Sequence, residues 1–413
     1  MEPTTITRQA LAEIEHRLVD GIAVPKSLGD DEPWITQSLS KGAAGVALLH
    51  IERALTGDGT WRQAHRWITE AVTGQVSASD NAGLYLGMPA IAFMLDAAAS
   101  GADDRYQHAL ADIDAHVLAL AHRRAASALE RIAANGLPGF REYDVFFGLS
   151  GIGALLLRRA PGSTAMEHVL GYLVALTEPR SVEDVAVPGW WVSHDPHRRQ
   201  STTYANGHGN FGMAHGIAGP LALLSQAMRR GSIVAGQHEA INRICDWLDD
   251  WRQDGGTGPW WPEWITLAEL RSRRVDQEGP ARPSWCYGTP GIARAGQLAG
   301  IATGDLQRQL NYESALLGCL DDTSQQARIA DAGLCHGWAG LYQTVWRSAQ
   351  DADTPALAEH LPQLAANLGH HADNGLASEH NFLDGTAGTA LALHTAAHTA
   401  APTSGWDACL LID

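Results

Sequence analysis

Apolar residues along the chain alternate between two patterns. Segments 7–19, 104–122, 164–177, 236–252, 305–320 and 355–369 space them three and four apart among charges, which predicts helices with one wet face. Between these segments lie runs that are apolar or small nearly all round, which predicts helices buried on every side. Each run opens on a short recurring element, two glycines three apart: Gly42 and Gly45, Gly148 and Gly151, Gly216 and Gly219, Gly288 and Gly291, Gly337 and Gly340, Gly385 and Gly388. A seventh copy has Ala90 in place of the last glycine, after Gly87. The copies start 45 to 72 residues apart, and about 45 residues hold two helices of roughly four turns plus their connections. Pairs of outer amphipathic and inner apolar helices, seven times over, close most simply into a ring. The expected fold is all-α, an α/α toroid forming one domain over residues 1–413, with the glycines letting seven helix starts crowd together at one end.

Two stretches interrupt the period, residues 179–214 and 253–285, and read as rim insertions. They are too rich in glycine, proline and aromatics to be helical throughout. Trp190, Trp191, Trp260, Trp261 and Trp264 either wall the rim by packing on it or line a groove for an extended peptide.

Composition narrows the role. Of 413 residues, 45% are hydrophobic and 18% charged, enough to bury a large core. The formal net charge of −17 opposes binding to phosphate backbones or anionic lipid heads, so nucleic acid is excluded as a partner. No apolar run is long enough to span a bilayer, and the first five residues lack the basic and apolar regions of a secretory signal. Five scattered cysteines do not make a disulfide scaffold. A cytoplasmic enzyme is the expectation.

Aligning the seven copies on their first glycine shows where chemistry gathers. One residue before it stand Lys41, Leu86, Phe147, His215, Tyr287, His336 and Asp384; two before it stand Ser40, Tyr85, Phe146, Ala214, Cys286, Cys335 and Leu383. A ring sets equivalent positions at one height, so Cys286, Cys335, His336 and His215 are expected to meet at its mouth. Two thiols and an imidazole suit one Zn2+ and leave the fourth tetrahedral position open, as in catalytic sites. His215, Asp144 and Arg282 stand around this cluster as candidate acid, base or orienting groups. Asp144 could instead cap a helix, Arg282 could pair with a surface carboxylate, and Asp384 reads as a cap of its own helix.

At this point Ser284 to Gly291 (SWCYGTPG), Cys335 to Gly340 (CHGWAG) and Ala214 to Gly219 (AHGIAG) resemble the signature segments of the lanthionine synthetase C family, the lanthipeptide cyclases. Phe382 to Gly385 and the closing Trp406 to Leu411 are similar to that family's last repeat and tail. The resemblance implies a toroid of fourteen helices holding one zinc on Cys286, Cys335 and His336, with His215 as acid/base and Asp144 and Arg282 beside it. It further implies a dehydrated precursor peptide as substrate, a dehydratase and an exporter as partners, and a cytoplasmic place, peripheral to a membrane-associated biosynthetic complex. No dehydratase or kinase region precedes the repeats, so the stand-alone cyclase is expected. The expected reaction is addition of a peptide thiol to dehydroalanine or dehydrobutyrine. The alternative is a LanC-like protein that binds peptide or glutathione without closing rings. A toroidal prenyltransferase would need a carboxylate among the ligands and a partner subunit, and a toroidal glycosidase would need a carboxylate pair at the axis.

Overall fold

A computed structural model describes residues 6–22, 34–101, 105–199, 201–374 and 379–413. Residues 1–5, examined above for a signal, residue 104 and residue 200 of the first rim stretch lie outside this set. Helices dominate. In chain order they are α1 (Arg8–Asp20), α2 (Ala43–Thr56), α3 (Trp61–Ala71), α4 (Met88–Ala98), α5 (Gln107–Ala133) and α6 (Phe140–Tyr143). Then follow α7 (Leu149–Arg159), α8 (Thr164–Leu176), α9 (Ala218–Arg229), α10 (Gln237–Asp250), α11 (Leu267–Ser272) and α12 (Thr289–Thr303). The last are α13 (Leu306–Asp321), α14 (Thr323–Gln326), α15 (Trp338–Asp351), α16 (Ala356–Asn374) and α17 (Thr386–His398). Among the described residues no helix is long and apolar enough to cross a membrane.

The apolar runs after the glycines are α2, α4, α7, α9, α12, α15 and α17. Every residue from Thr289 to Gly300 of α12 is buried, as is every one from Thr386 to Ala396 of α17, which is why these runs carry no polar stripe. The amphipathic segments are the partner helices. Two differ from the sequence reading. Helix α3 was absent from it, although Ala64, Trp67, Ile68 and Ala71 form one buried stripe at helical spacing. Helix α5 runs on to Ala133, because buried Ala125 and Ala128 continue its apolar face beyond residue 122.

The chain forms two compact units, one of Met1–Val117 with Ile329–Asp413, the other Leu118–Arg328. Within each, backbone hydrogen bonds link one repeat to the next at one register. In the second unit Val145 N donates to Ala214 O at 3.1 Å and Ala214 N to Cys286 O at 3.3 Å. In the first, Cys335 N donates to Leu383 O at 3.0 Å, Leu383 N to Ser40 O at 3.3 Å and Leu39 N to Tyr85 O at 3.1 Å. Every acceptor stands two residues before the first glycine of its copy, so that position is a shared structural level within each unit.

The second glycine is needed for a close approach. A Cβ on Gly45, Gly219, Gly291, Gly340 or Gly388 would lie 1.8–2.7 Å from the carbonyl oxygen six residues earlier, where the connecting loop folds back on the helix. Gly388→Ala would set its Cβ 1.8 Å from Phe382 O and 2.5 Å from a Leu334 methyl. We expect a loss of about 1–3 kcal/mol, read as a lowered urea midpoint with unchanged slope.

The two rim stretches supply the strands. In residues 179–214, β1 (Arg180–Val182) and β2 (Val185–Val187) form a hairpin. The later strand of that stretch, β3 (His208–Asn210), pairs antiparallel with β4 (Trp264–Thr266) of the other stretch, His208 opposite Thr266. Trp190, Trp191, Trp260 and Trp261 are buried. Trp191 Nε1 donates to Asn206 O at 2.9 Å, and Trp261 donates to Leu248 O while stacking on Tyr312. These four pack the scaffold instead of lining a groove; Trp264 is half-buried against His197 and Tyr287.

Candidate functional site

In the second unit the turn before α7 and the turn before α9 meet. Asp144 is fully buried. Its Oδ1 accepts from the backbone N–H of Phe147 and Gly148, both at 2.7 Å, which holds the start of α7. Its Oδ2 lies 2.8 Å from His215 Nδ1. An ionised carboxylate has only acceptors, so Nδ1 carries the proton and Nε2 is the ring nitrogen left for chemistry. Phe140 and Phe146 each hold the His215 ring at 4.9 Å between centroids, and 28% of its side chain stays accessible. Capping and orienting, weighed as alternatives for Asp144 on sequence, are both performed, by different oxygens.

Cys286 is buried one turn before α12, and Phe146 lies 6.0 Å from the ring of its neighbour Trp285. Arg282 is half-buried on the approach to that turn. Glu263 lies close enough to feel this region's charges: burial and the nearby Cys286 sulfur push its carboxyl above the usual range, while the positive charge of Arg282 and then His197 pull it down. Asp144 spends its oxygens on His215 and the two amides. Glu263 went unnoticed in the sequence because it comes from the other side of the rim stretch, outside the repeat register.

In the first unit Cys335 and His336 precede α15 in the same turn. Cys335 is half-buried, and Leu334 O, the carbonyl just before it, is the one that abuts Gly340. Trp285 O abuts Gly291 in the same way just before Cys286. One repeated turn therefore presents both sulfurs. His336 lies 3.6 Å through Nε2 from Asp331 Oδ2 and 3.9 Å through Nδ1 from Asp384 Oδ1. A carboxylate beside one ring nitrogen fixes the tautomer of a ligating histidine. Asp331 was also missed, although it stands six residues before Gly337 just as Arg282 stands six before Gly288. Asp331 and Asp384 line a cavity of about 620 Å³ together with Lys41, Glu379, Asn381 and His371. Cys245 and Cys319 differ in kind: burial pushes both thiols up to about 12, so they stay protonated core residues.

All-helical repeats, each an apolar helix with an amphipathic partner, define the class of the α/α toroids, and the comparisons agree on the fold. The solved structure of nisin cyclase matches at a TM-score of 0.78, covering 98% of each chain at 21% identity. Residues 33–411 match the profile of the lanthionine synthetase C-like proteins, and the chain belongs to that family. It is also similar to the nisin biosynthesis protein NisC of Lactococcus lactis subsp. lactis, 24% identical over 258 residues, 61% of this chain and 60% of the relative's length.

Proposed function

We propose that the protein is a zinc-dependent lanthipeptide cyclase, converting cysteine thiols and dehydrated serine or threonine residues of one peptide into lanthionine or methyllanthionine. The observation that carries this reading is the repeated turn that presents Cys286 and Cys335 in a chain of this family, with His336 next to the second sulfur. Two thiolates and a neutral imidazole fit zinc chemically, and three protein ligands leave a position for a substrate sulfur. When bound, zinc would keep the substrate thiol ionised at neutral pH, where a free cysteine is only a few per cent thiolate.

The chain's own residues then have definable tasks. As the substrate sulfur bonds to the β-carbon of dehydroalanine or dehydrobutyrine, the alkene electrons move to the α-carbon and its carbonyl. His215 Nε2 takes up the proton the substrate thiol loses, forming the imidazolium, and returns it at the α-carbon, so that the ring ends neutral as it began. Asp144 keeps Nδ1 protonated and stabilises the imidazolium form. Arg282 offers a cation to the enolate oxygen. His336 is oriented by Asp331 or Asp384. In the first unit the cavity of about 620 Å³ lined by Lys41, Asp331 and Asp384 lies at the polar helix starts and offers room for a peptide segment. Family analogy supports a dehydratase and an exporter as partners, and a cytoplasmic enzyme peripheral to a membrane-associated complex.

Incubation with a dehydrated precursor peptide, without prenyl diphosphate, tests the reading. Free thiols should disappear at constant mass, since addition of S–H across C=C is an isomerisation. Binding of the peptide or glutathione without thiol loss would instead favour a non-catalytic LanC-like protein.

A further inference from the structure

We propose a second divalent transition-metal site, built only of nitrogen and oxygen donors, at Asp58, His394 and His398. It is independent of the cyclase reading. One ligand atom from each of the three residues lies within 4.8 Å of the others. His394 and His398 stand four apart on the last turns of α17, the spacing that puts two imidazoles on one helix face in many zinc sites. Their ring centroids are 4.2 Å apart. Two imidazolium charges that close would repel, whereas two neutral rings can share a cation.

Asp58 approaches from the turn after α2. Its Oδ2 lies 3.1 Å from His398 Nε2 and 3.8 Å from His394 Nε2, and it accepts from Thr56 Oγ1 at 3.0 Å. His394 is buried, and its other nitrogen, Nδ1, lies 3.6 Å from Glu15 Oε1. A carboxylate behind one ring nitrogen is the outer-shell arrangement that orients metal-bound histidines; the other nitrogen, Nε2, lies 3.2 Å from Thr56 Oγ1, the hydroxyl that a bound ion would displace from between His394 and Asp58. Arg53 is paired through Nη1 to Glu15 and donates through Nη2 to the backbone carbonyl of Asp58 at 2.7 Å, so the Asp58 carboxylate itself is left to Thr56 and the two imidazoles. A cavity of about 610 Å³, lined by these ligands with Glu13, His16 and Arg17, gives an ion a way in. The donors suit Zn2+, Co2+ or Ni2+ and exclude a soft thiolate-seeking ion. A bound ion would tie α2 of the first repeat to α17 of the last, closing residues far apart in the chain.

The experiment counts metal. Full-length wild type, Cys335→Ala, His398→Ala and Asp58→Asn are loaded with excess Zn2+, passed over a chelating resin that removes loose ion, and analysed for zinc. Wild type should retain two equivalents, and His398→Ala and Asp58→Asn should each lose one. Cys335→Ala should lose a different one, leaving the zinc-induced rise in Tm that His398→Ala abolishes. His398 and Asp58 are exposed enough that circular dichroism should show both variants folded. The proposal is overturned if folded His398→Ala and Asp58→Asn retain as much zinc as wild type. A wild type holding one equivalent that Cys335→Ala removes also overturns it. One equivalent removed by His398→Ala but not by Cys335→Ala would uphold this site and reject the thiolate centre.

Discussion

Cys335→Ala is expected to lose the zinc proposed at the two thiolates and ring closure together, and Cys286→Ala to do the same. The reason is the donor count. With one sulfur removed, two ligands remain, too few for a closed set at neutral pH, where each must also stay deprotonated. A substrate thiol then falls back to its free pKa near 8.5, a loss of roughly thirtyfold in thiolate before positioning is counted. With lost positioning added, ring closure should fall by about 10³-fold or more. Zinc content and thiol consumption measured on the same preparations check this. Either variant keeping stoichiometric zinc at this centre, or cyclising like wild type, would remove the residue from the ligand set.

The repeat was legible because its two glycines answer a backbone requirement. The second glycine touches a carbonyl six residues back in five copies, so any larger residue there meets main chain, and the sequence records that constraint each time. The register of Cys286 and Cys335 was legible for the same reason, since both follow that carbonyl. What could not be read were partners that come from outside the register. Glu263 comes into the electrostatic range of Cys286 and Arg282 from a loop whose sequence, tryptophans and prolines, announces packing and nothing else. Phe140 and Phe146 clasp His215 from the two sides of a turn, a geometry no spacing implies. Helix α3 escaped because its short stripe sits among charges and tryptophans, and it becomes compelling only when Trp67 and Ile68 are seen buried on α2. Asp331 is within reach of the sequence: it stands six residues before Gly337, the position that Arg282 holds before Gly288.

Asp144→Asn should separate orientation from folding. The amide oxygen can still accept from the N–H groups of Phe147 and Gly148, which Asp144 meets at 2.7 Å, so the start of α7 keeps its cap. The amide nitrogen would then face His215 Nδ1, now a donor opposite a donor. Relief comes from the other tautomer, with Nδ1 bare and the proton on Nε2, and an imidazolium no longer has a carboxylate behind it. Ring closure should fall by about 10²–10⁴-fold, the range for losing an oriented acid–base group. Zinc should stay bound, the urea midpoint should move little, and the pH–rate profile should shift, which a purely structural lesion would not cause. Asp144→Ala serves as the contrast. It strands two amides in a buried site and should cost about 1–3 kcal/mol of stability in addition. An Asn variant that cyclises within about tenfold of wild type would show that His215 does not depend on this carboxylate as its proton-transfer partner.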